Sequence, residues 1–323
     1  KMDERLIGKK LIPAAMKAGR DTGHRLAGAG TEELVRGHAN ILGAHVGSWN
    51  QPAVITGRRL ADGSLEVTRF GFRLNGEGAD RFTENETGVF TDSSKEKILA
   101  APVGPGGHSN LITQRPLKGG RMEIAYYAFH LNGEEKPSDF FAELDRSVFA
   151  ARRGETIVGA LLGPDSHPML ITSKPIANGR IEITQYGFRL NGEEKPADSF
   201  AELETGVFKP RPGESIIAAS MGPGGHTTII TRRLLGKSRL EITRYGFRLK
   251  GRGNQAENFA LIESDEIALD AGETILAAPL GPGDHMMLMT QRPRADGKTE
   301  ITLYGYRLNG PGKPADNLAL LET

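Results

Sequence analysis

The stretch GPDSH at Gly163–His167 has three close copies in this chain, and their spacing decides the fold. The copies are GPGGH at Gly104–His108, GPGGH at Gly222–His226 and GPGDH at Gly281–His285, so each copy begins 59 residues after the one before. A degenerate first copy, GSWNQ at Gly47–Gln51, begins 57 residues before Gly104. Self-similarity at a fixed period of this size is typical of repeat proteins in which each copy is one supersecondary unit.

The third copy shows what one repeat contains. Its apolar and β-branched runs are Gly154–Leu162, His167–Pro175, Arg180–Asn191 and Phe200–Arg211, each bounded by Gly, Pro or Asn. Short runs rich in Ile, Thr, Tyr and Phe are typical of strands. The pair Asn178-Gly179 suits a tight turn between antiparallel strands. Each repeat is therefore predicted to hold four antiparallel strands.

Five four-stranded repeats predict an all-β chain folded as a five-bladed β-propeller, because propeller blades are four-stranded sheets around a central channel. The run before each Gly-Pro is rich in Ala and Gly, which fits crowding near the axis, so that strand is predicted to be innermost. The last repeat lacks the segment that ends the fourth strand in other copies. An N-terminal strand near Glu33–Val35 is expected to close the last blade and remove an exposed sheet edge.

The predicted domain organisation is one propeller over residues 31–323, preceded by an N-terminal arm over residues 1–30 that is mobile or loosely helical. A string of independent small β-domains is the alternative, but repeats of this size bury too little apolar surface to fold alone. The predicted repeats span approximately 37–95, 96–153, 154–212, 213–271 and 272–323.

Composition narrows the functional classes. Lys and Arg total 41 against 40 for Asp and Glu, and basic stretches carry matching acids, so no nucleic-acid partner is expected. The absence of Cys excludes disulfides and thiolate chemistry. No apolar run approaches the ~18 residues of a membrane span, and no signal peptide is visible, so a soluble protein of unknown compartment is expected. Neither a G-x-S-x-G nor an H-E-x-x-H motif is present.

The histidines that end the four Gly-Pro motifs are candidate metal ligands. If their side chains turn toward the axis, the imidazoles could converge on one transition metal ion at the channel mouth. In the alternative structural interpretation, which symmetric repetition favours, each imidazole fixes its own turn through a hydrogen bond to a backbone carbonyl. These candidate ligands are His108, His167, His226 and His285.

A basic residue in the second strand and a glutamate at the start of the third recur in every repeat. Their constant pairing predicts a cross-strand ion pair worth ~0.2–1 kcal/mol, with a structural role. The basic residues are Arg58, Arg115, Lys174, Arg233 and Arg292, and the acids are Glu66, Glu123, Glu182, Glu241 and Glu300.

An aromatic strand followed by a polar loop, as in Tyr186–Asp198, also recurs. An aromatic ring can pack on the C–H groups of a sugar while amide and carboxylate groups bond its hydroxyls, and near-identical loops would add avidity. The alternative is that the rings pack between blades and the loops are simply solvated. Trp49, the only Trp, is a further candidate, as a ligand platform or a contact with residues 1–30, or else reflects drift in the first copy. The other candidate ligand-binding residues are Tyr127, Tyr186, Tyr245, Tyr304, Asn132, Asn191, Asn309, Asp139, Asp198 and Asp316.

Together these features favour a non-catalytic, lectin-like, multivalent binding propeller without a cofactor, whose partner is a glycan or another small polar ligand. Enzymes need asymmetric residues, whereas this chain repeats almost everything. One alternative is a metal-dependent enzyme with the ring of His at the channel mouth, and another is a protein-interaction scaffold that uses the faces of the ring.

Overall fold

The computed structural model describes residues 40–46, 51–73, 81–91, 96–104, 107–130, 140–189, 199–236, 238–248, 258–295, 297–307 and 317–322. These residues form twenty strands, so the prediction of an all-β chain is confirmed. The helical elements in this part of the chain are 3-10 turns at Lys118–Gly120, Ala177–Gly179, Pro223–Gly225 and Pro282–Asp284, and no helix here is long and apolar enough to cross a membrane.

The strands follow one another in groups of four, and each group is an antiparallel meander. Meander 1 holds β1 (Asn40–Val46), β2 (Pro52–Arg59), β3 (Leu65–Arg73) and β4 (Arg81–Phe90), and meander 2 holds β5 (Lys97–Ala100), β6 (Asn110–Pro116), β7 (Arg121–His130) and β8 (Phe140–Ala150). Meander 3 holds β9 (Thr156–Leu162), β10 (Pro168–Pro175), β11 (Ile181–Arg189) and β12 (Ser199–Phe208). Meander 4 holds β13 (Glu214–Met221), β14 (Thr227–Leu234), β15 (Arg239–Phe247) and β16 (Phe259–Ala268), and meander 5 holds β17 (Thr274–Ala277), β18 (Met287–Pro293), β19 (Thr299–Arg307) and β20 (Asn317–Glu322).

The first strands of neighbouring meanders approach each other closely, which explains their small residues. A Cβ atom at Gly43 would lie 2.8 Å from the carbonyl oxygen of Ala101, and one at Gly159 would lie 2.5 Å from that of Ala219. Neither distance leaves room for a Cβ atom, because the neighbouring atom is a backbone carbonyl oxygen that cannot move aside as a flexible side chain could. Glycine is therefore required at these two positions by the contact between strands.

Apolar side chains from adjacent meanders form shared core clusters. Between meanders 3 and 4, Ile171 and Phe208 pack with Ile229 and Tyr245. Equivalent clusters lie between meanders 1 and 2, 2 and 3, and 4 and 5. A fifth cluster joins the two ends of the series, since Val54 and Phe70 of meander 1 are in it together with Met289 and Leu303 of meander 5.

The last strand of each meander carries a β-bulge opposite the third strand. In meander 3, Gln185 lies opposite Glu204 and Tyr186 lies opposite Glu202, so Leu203 is the extra residue. Bulges re-aim the side chains beside them, and here the residue after the bulge is always acidic. The corresponding extra residues in the other meanders are Asn85, Leu144, Ile262 and Leu321.

The fourth strand of meander 5 is shorter than its counterparts. β20 reaches Glu322, which lies opposite Leu303, whereas β12 continues to Phe208, opposite Ile181. The strand near residues 33–35 that was expected to continue this sheet lies outside the described residues, as does the arm over residues 1–30. Closure of the last blade by that strand stays a prediction.

Candidate functional site

Each GPXXH motif forms a tight turn between the first and second strands of its meander. In Gly163–His167, the N–H of Gly163 donates to the carbonyl oxygen of His167 at 2.9 Å, and the N–H of Ser166 donates to that of Gly163 at 3.0 Å. Ser166 has a φ of 62°, in the left-handed region where the equivalent Gly107 and Gly225 also lie. The turn holds the histidine at the start of the second strand.

The imidazole of each of these histidines meets a carboxylate from the meander before it, an arrangement we call a junction. The carboxylate belongs to the residue that follows the bulge, and it lies within hydrogen-bond distance of Nδ1. The backbone carbonyl that the structural interpretation expected as partner is thus replaced by an acidic side chain. The distances are 2.6 Å for His108–Glu86, 3.0 Å for His167–Asp145, 2.6 Å for His226–Glu204 and 3.2 Å for His285–Glu263.

The same imidazole also stacks on an aromatic ring of its own meander. His167 lies 5.4 Å from Phe188 between ring centroids, with 15° between the ring planes. His108, His226 and His285 stack in the same way on Phe129, Phe247 and Tyr306. The plane of each imidazole is therefore fixed by stacking within its own meander, and its Nδ1 is held by the carboxylate of the meander before it. Each of these histidines thus connects two neighbouring sheets.

The His167 junction differs from the other three. In those, the glutamate also accepts the backbone N–H of the residue after the histidine: Ser109 at 2.7 Å, Thr227 at 2.9 Å and Met286 at 3.0 Å. At the His167 junction the acid is the shorter Asp145, and the residue after the histidine is Pro168, which has no N–H to donate. Asp145 therefore holds the imidazole without the second anchor.

A pocket of about 340 Å³ lies beside His167, between meanders 3 and 4. Its polar side chains are Asp165, His167 and Gln185, and Gln185 is held across the meander boundary because its amide oxygen accepts from Thr227 Oγ1 at 2.8 Å. This volume lies within the range of pockets that bind small molecules. The apolar side of the lining comes from Pro164, Met169, Phe188, Leu203 and Met221, and backbone of Gly163, Gly187 and Gly225 completes it.

The tyrosines proposed as ligand-binding residues have an internal position in this structure. Tyr127, Tyr186 and Tyr245 are buried and Tyr304 is half-buried. Each phenol donates to the glutamate that begins its own meander: Glu96, Glu155 and Glu214 at 2.9 Å, and Glu273 at 3.1 Å. All four rings also take part in the core clusters shared by two meanders, which agrees with packing between sheets, while a role in ligand binding stays a prediction.

The glutamate carboxylates that accept these phenol hydrogen bonds also accept hydrogen bonds from other side chains. Burial alone would raise the pKa of Glu155, but hydrogen bonds from Arg152, Thr172 and Tyr186 outweigh it and bring the pKa to about 2. Burial, followed by the hydrogen bond to Glu155, raises the pKa of Tyr186 to about 12. Glu155 is therefore ionised and Tyr186 protonated across the physiological range, which gives this network a constant charge.

The remaining predicted ligand-binding residues are not in the described part of the chain. Trp49, Asn132, Asn191, Asn309, Asp139, Asp198 and Asp316 lie outside it. Within it, no group of three or more His, Cys, Asp or Glu side chains could hold a metal ion. A metal ion held by His108, His167, His226 and His285 stays a prediction, as does the expectation of no cofactor.

The predicted cross-strand ion pairs are confirmed in four of the five meanders. Arg58 lies opposite Glu66, and their side chains approach to 2.6 Å. Arg115–Glu123, Arg233–Glu241 and Arg292–Glu300 form the same ion pair. In meander 3, Lys174 lies opposite Glu182, and Arg152 contacts that glutamate at 3.0 Å.

Sequence reasoning missed both sets of glutamates that satisfy the repeated side chains. The junction acids were visible as the last residue of the recurring F-A-E-L-E run. The first-strand acids were visible as a glutamate at or just before the start of the first strand in four copies, which follows Gly in three of them and Lys95 in the other. The spacing did not show that the first set bonds across a meander boundary. The junction acids are Glu86, Asp145, Glu204 and Glu263, and the first-strand acids are Glu96, Glu155, Glu214 and Glu273.

Comparison with known proteins gives no family. No family model and no curated protein matches the chain. Among solved structures, a levansucrase of Bacillus subtilis covers 88% of this chain and 87% of its own at 10% identity and a TM-score of 0.49. A levansucrase of B. megaterium covers 88% and 86% at 9% identity and 0.49. An aldose sugar dehydrogenase of Streptomyces coelicolor covers 87% and 80% at 14% identity and 0.36.

These three solved structures are of enzymes, and that finding contradicts one prediction made from the sequence. The chain was expected to be a non-catalytic, lectin-like multivalent binder, because its repeats look too alike for catalysis. That prediction is wrong. Its physical reason was also incomplete, since the repeats diverge at the His167 junction, beside the pocket.

Proposed function

We propose that the chain is a single five-bladed β-propeller and that each meander is one blade. Support comes from the five core clusters, each of which joins two meanders. Because one of them joins meanders 1 and 5, every meander has two neighbours, as blades in a closed ring do. In this proposal the innermost strands are β1, β5, β9, β13 and β17, and the GPXXH turns lie together at one end of the ring.

We further propose that the protein is a carbohydrate-active enzyme that works by acid–base chemistry in the pocket beside His167. The observation that carries this proposal is the coincidence of three features at one place. An imidazole is bonded to a carboxylate, it lines a pocket, and the repeat departs from its own pattern there. A histidine oriented by a carboxylate, in a pocket with few other polar groups, is a reasonable starting point for assigning an active site.

The proposed chemistry follows from the hydrogen bond of His167. When Nδ1–H donates to Asp145, the lone pair of the neutral ring is on Nε2, which can accept a proton from a substrate hydroxyl. The carboxylate then stabilises the imidazolium that forms. The imidazolium can then return this proton from Nε2 to the oxygen of the leaving group, while Asp165, on the pocket wall, can accept hydrogen bonds from substrate hydroxyls. Deprotonation of the attacking hydroxyl and protonation of the leaving group are the two proton transfers that group transfer to or from a hydroxyl needs.

The lining also indicates the substrate class. Asp165, His167 and Gln185 can bond hydroxyl groups, while Met169 and Met221 offer apolar surface. Sugars present both O–H and C–H groups to a protein, and mixed linings of this kind suit them. We therefore propose a carbohydrate of one or two rings as substrate.

Activity measurements on matched histidine variants test the proposal. A panel of glycosides and free sugars is incubated with the protein, and products are followed by NMR spectroscopy. His167→Gln is expected to lower kcat by about 10²–10⁴, the usual contribution of a general acid or base. His285→Gln, the same change at a junction away from the pocket, should leave kcat close to the original value. Equal losses in both variants, or no turnover across the panel, would show that the pocket is not an active site.

A further inference from the structure

His45 on β1 is a half-buried side chain whose ring nitrogens have no hydrogen-bond partner among the described residues. Both of its ring nitrogens, Nδ1 and Nε2, are shielded from solvent and unpaired among the described residues. Burial, together with the nearby Arg69 cation, lowers the pKa of His45 to about 4, so its ring is neutral at pH 7. Buried polar groups are nearly always paired, and each exception in a folded protein calls for an explanation.

The fold itself does not need a histidine at this position. Counted from the recurring end of the first strand, the equivalents of His45 in the other meanders are Pro102, Leu161, Ser220 and Pro279. Side chains of three different kinds, none of them ionisable, therefore occupy this position in the other meanders. Because an unpaired buried imidazole destabilises a protein, His45 is better explained by a property of meander 1 alone.

Arg69 lies on the same face of the sheet as His45 and also has a buried nitrogen without a hydrogen-bond partner. His45 lies opposite Ala53 and Arg69 opposite Ile55, so the two side chains leave the same side of meander 1 toward meander 2. The Nε of Arg69 is also buried without a hydrogen-bond partner among the described residues. Two side chains with buried, unpaired nitrogens thus lie on the same face of meander 1.

The nearest acid does not neutralise Arg69 by a hydrogen bond. Glu86 Oε1 lies 3.8 Å from Arg69 Nε, which is too long for a hydrogen bond. Both oxygens of Glu86 are already engaged, by His108 at 2.6 Å and by the N–H of Ser109 at 2.7 Å. The equivalent Arg244 of meander 4 is bonded through Nη1 to its own acid, Glu263, at 2.7 Å, although its Nε is likewise buried without a partner among the described residues. The guanidinium of Arg69 is therefore a largely buried cation with donors to spare.

We propose that His45 and Arg69 form a binding site for a ligand that carries a carboxylate group, separate from the pocket beside His167. A carboxylate can accept two parallel bonds from a guanidinium, and one of its oxygens can also accept the N–H of the neutral imidazole. A single negative charge suits the site better than a dianion, because Glu86 is already close to Arg69. A carboxylate would thus supply acceptors for the nitrogens of Arg69 and for the N–H of His45.

Two variants taken from the protein's own repeats isolate this site. His45→Leu introduces the residue that meander 3 carries as Leu161, and Arg69→Gln introduces the residue that it carries as Gln185. Both changes are therefore compatible with the strand. Lys97→Gln, an exposed cation on β5, is the matched control for the loss of one positive charge.

The experiment uses acetate as the probe, with sodium chloride at equal ionic strength and inorganic phosphate as comparisons. In protein labelled with ¹⁵N-histidine, the ring nitrogens of His45 are expected to shift saturably with acetate, and acetate should raise the Tm of the wild type and of Lys97→Gln. Neither effect is expected with sodium chloride, and the rise in Tm should disappear in His45→Leu and Arg69→Gln, because only a ligand that binds the folded state stabilises it.

The proposal is overturned if acetate leaves the His45 nitrogens unmoved, as it would if water satisfies them. It is also overturned if the acetate response of Tm is the same in the wild type and in both site variants, or if phosphate shifts the His45 nitrogens more strongly than acetate. Sugar turnover is measured separately on the same variants. Loss of the acetate response with turnover retained would support two independent sites.

Discussion

The His167 and His285 junctions occupy equivalent places in the repeat, yet they are held by different numbers of bonds. At the His285 junction, Glu263 bonds the imidazole at 3.2 Å, the N–H of Met286 at 3.0 Å and the guanidinium of Arg244 at 2.7 Å. At the His167 junction, Asp145 bonds the imidazole at 3.0 Å and accepts no other hydrogen bond from the described residues. Of these two junctions, the His167 junction is the one that adjoins the pocket.

The difference separates structural repetition from function. A junction whose carboxylate is hydrogen-bonded through both oxygens holds two sheets in register. The same imidazole with a single anchor, next to open space, can exchange a proton without breaking a network. The repeated junctions thus hold the meanders together, and the junction that departs from the repeat is the one where we expect catalysis.

The largest difference in stability is expected between variants that remove the acid of each junction. Glu263→Ala leaves Arg244, whose side chain is 5% exposed, without its carboxylate and should cost about 3–5 kcal/mol in the free energy of unfolding. Asp145→Ala removes one hydrogen bond to a partly exposed ring and should cost about 0.5–1.5 kcal/mol. Urea unfolding of both variants checks the comparison, and equal costs would contradict it.

Acid pH tests the first-strand network of the same meander as His167. The folded pKa of Glu155, about 2, lies below the ordinary value of 4.5, so the stabilisation is complete above pH 4.5 and is lost as the pH falls toward 2. Glu155→Gln cannot ionise and should show a shallower loss of stability between pH 4.5 and 2. Urea midpoints at pH 5 and pH 3 measure the two slopes, with Glu202→Gln as an exposed control. Parallel slopes for wild type and Glu155→Gln would refute the role of Glu155.

The His167 junction can also be converted into the pattern of the others. The double variant Asp145→Glu with Pro168→Ser supplies both the longer acid and the missing N–H, as in Glu86 with Ser109. The additional hydrogen bond should stabilise the protein by about 1 kcal/mol and slow turnover. Asp145→Glu alone, which still lacks the N–H, is the control. A double variant that is no more stable than that control would break the comparison.

The smallest effect belongs to the cross-strand pairs that recur through the meanders. Arg58 is 47% exposed, and its pair with Glu66 should show a coupling of about 0.2–1 kcal/mol in a double-mutant cycle. The coupling should fall with added salt. A coupling energy well above that range, or one insensitive to salt, would contradict the prediction that these pairs contribute little to stability.

Local pattern predicted the strands of the repeat closely. In the third copy the runs Gly154–Leu162 and His167–Pro175 correspond to β9 (Thr156–Leu162) and β10 (Pro168–Pro175). The Asn178-Gly179 turn is also confirmed, with φ of 63° and 67°. These features depend on alternation, on turn residues and on contacts within one sheet, all of which are encoded over short stretches of chain.

Contacts between repeats could not be assigned in the same way. Glu204 follows His167 by 37 residues and precedes His226 by 22, and both spacings recur in the chain. A strict repeat therefore fits a pair within one copy as well as a pair between copies, and only the three-dimensional arrangement chooses Glu204–His226. The site residue His45 was missed for another reason, since one substitution in an otherwise regular strand gives no periodic signal.

The core shared by meanders 1 and 5 has a consequence for how the protein assembles. Its members Val54 and Leu303 are separated by nearly the whole described chain, so this interface carries the largest loop-closure cost of the five. Meanders 1 and 5 are not consecutive in the sequence, whereas the two meanders at each of the other four interfaces are joined directly by the backbone.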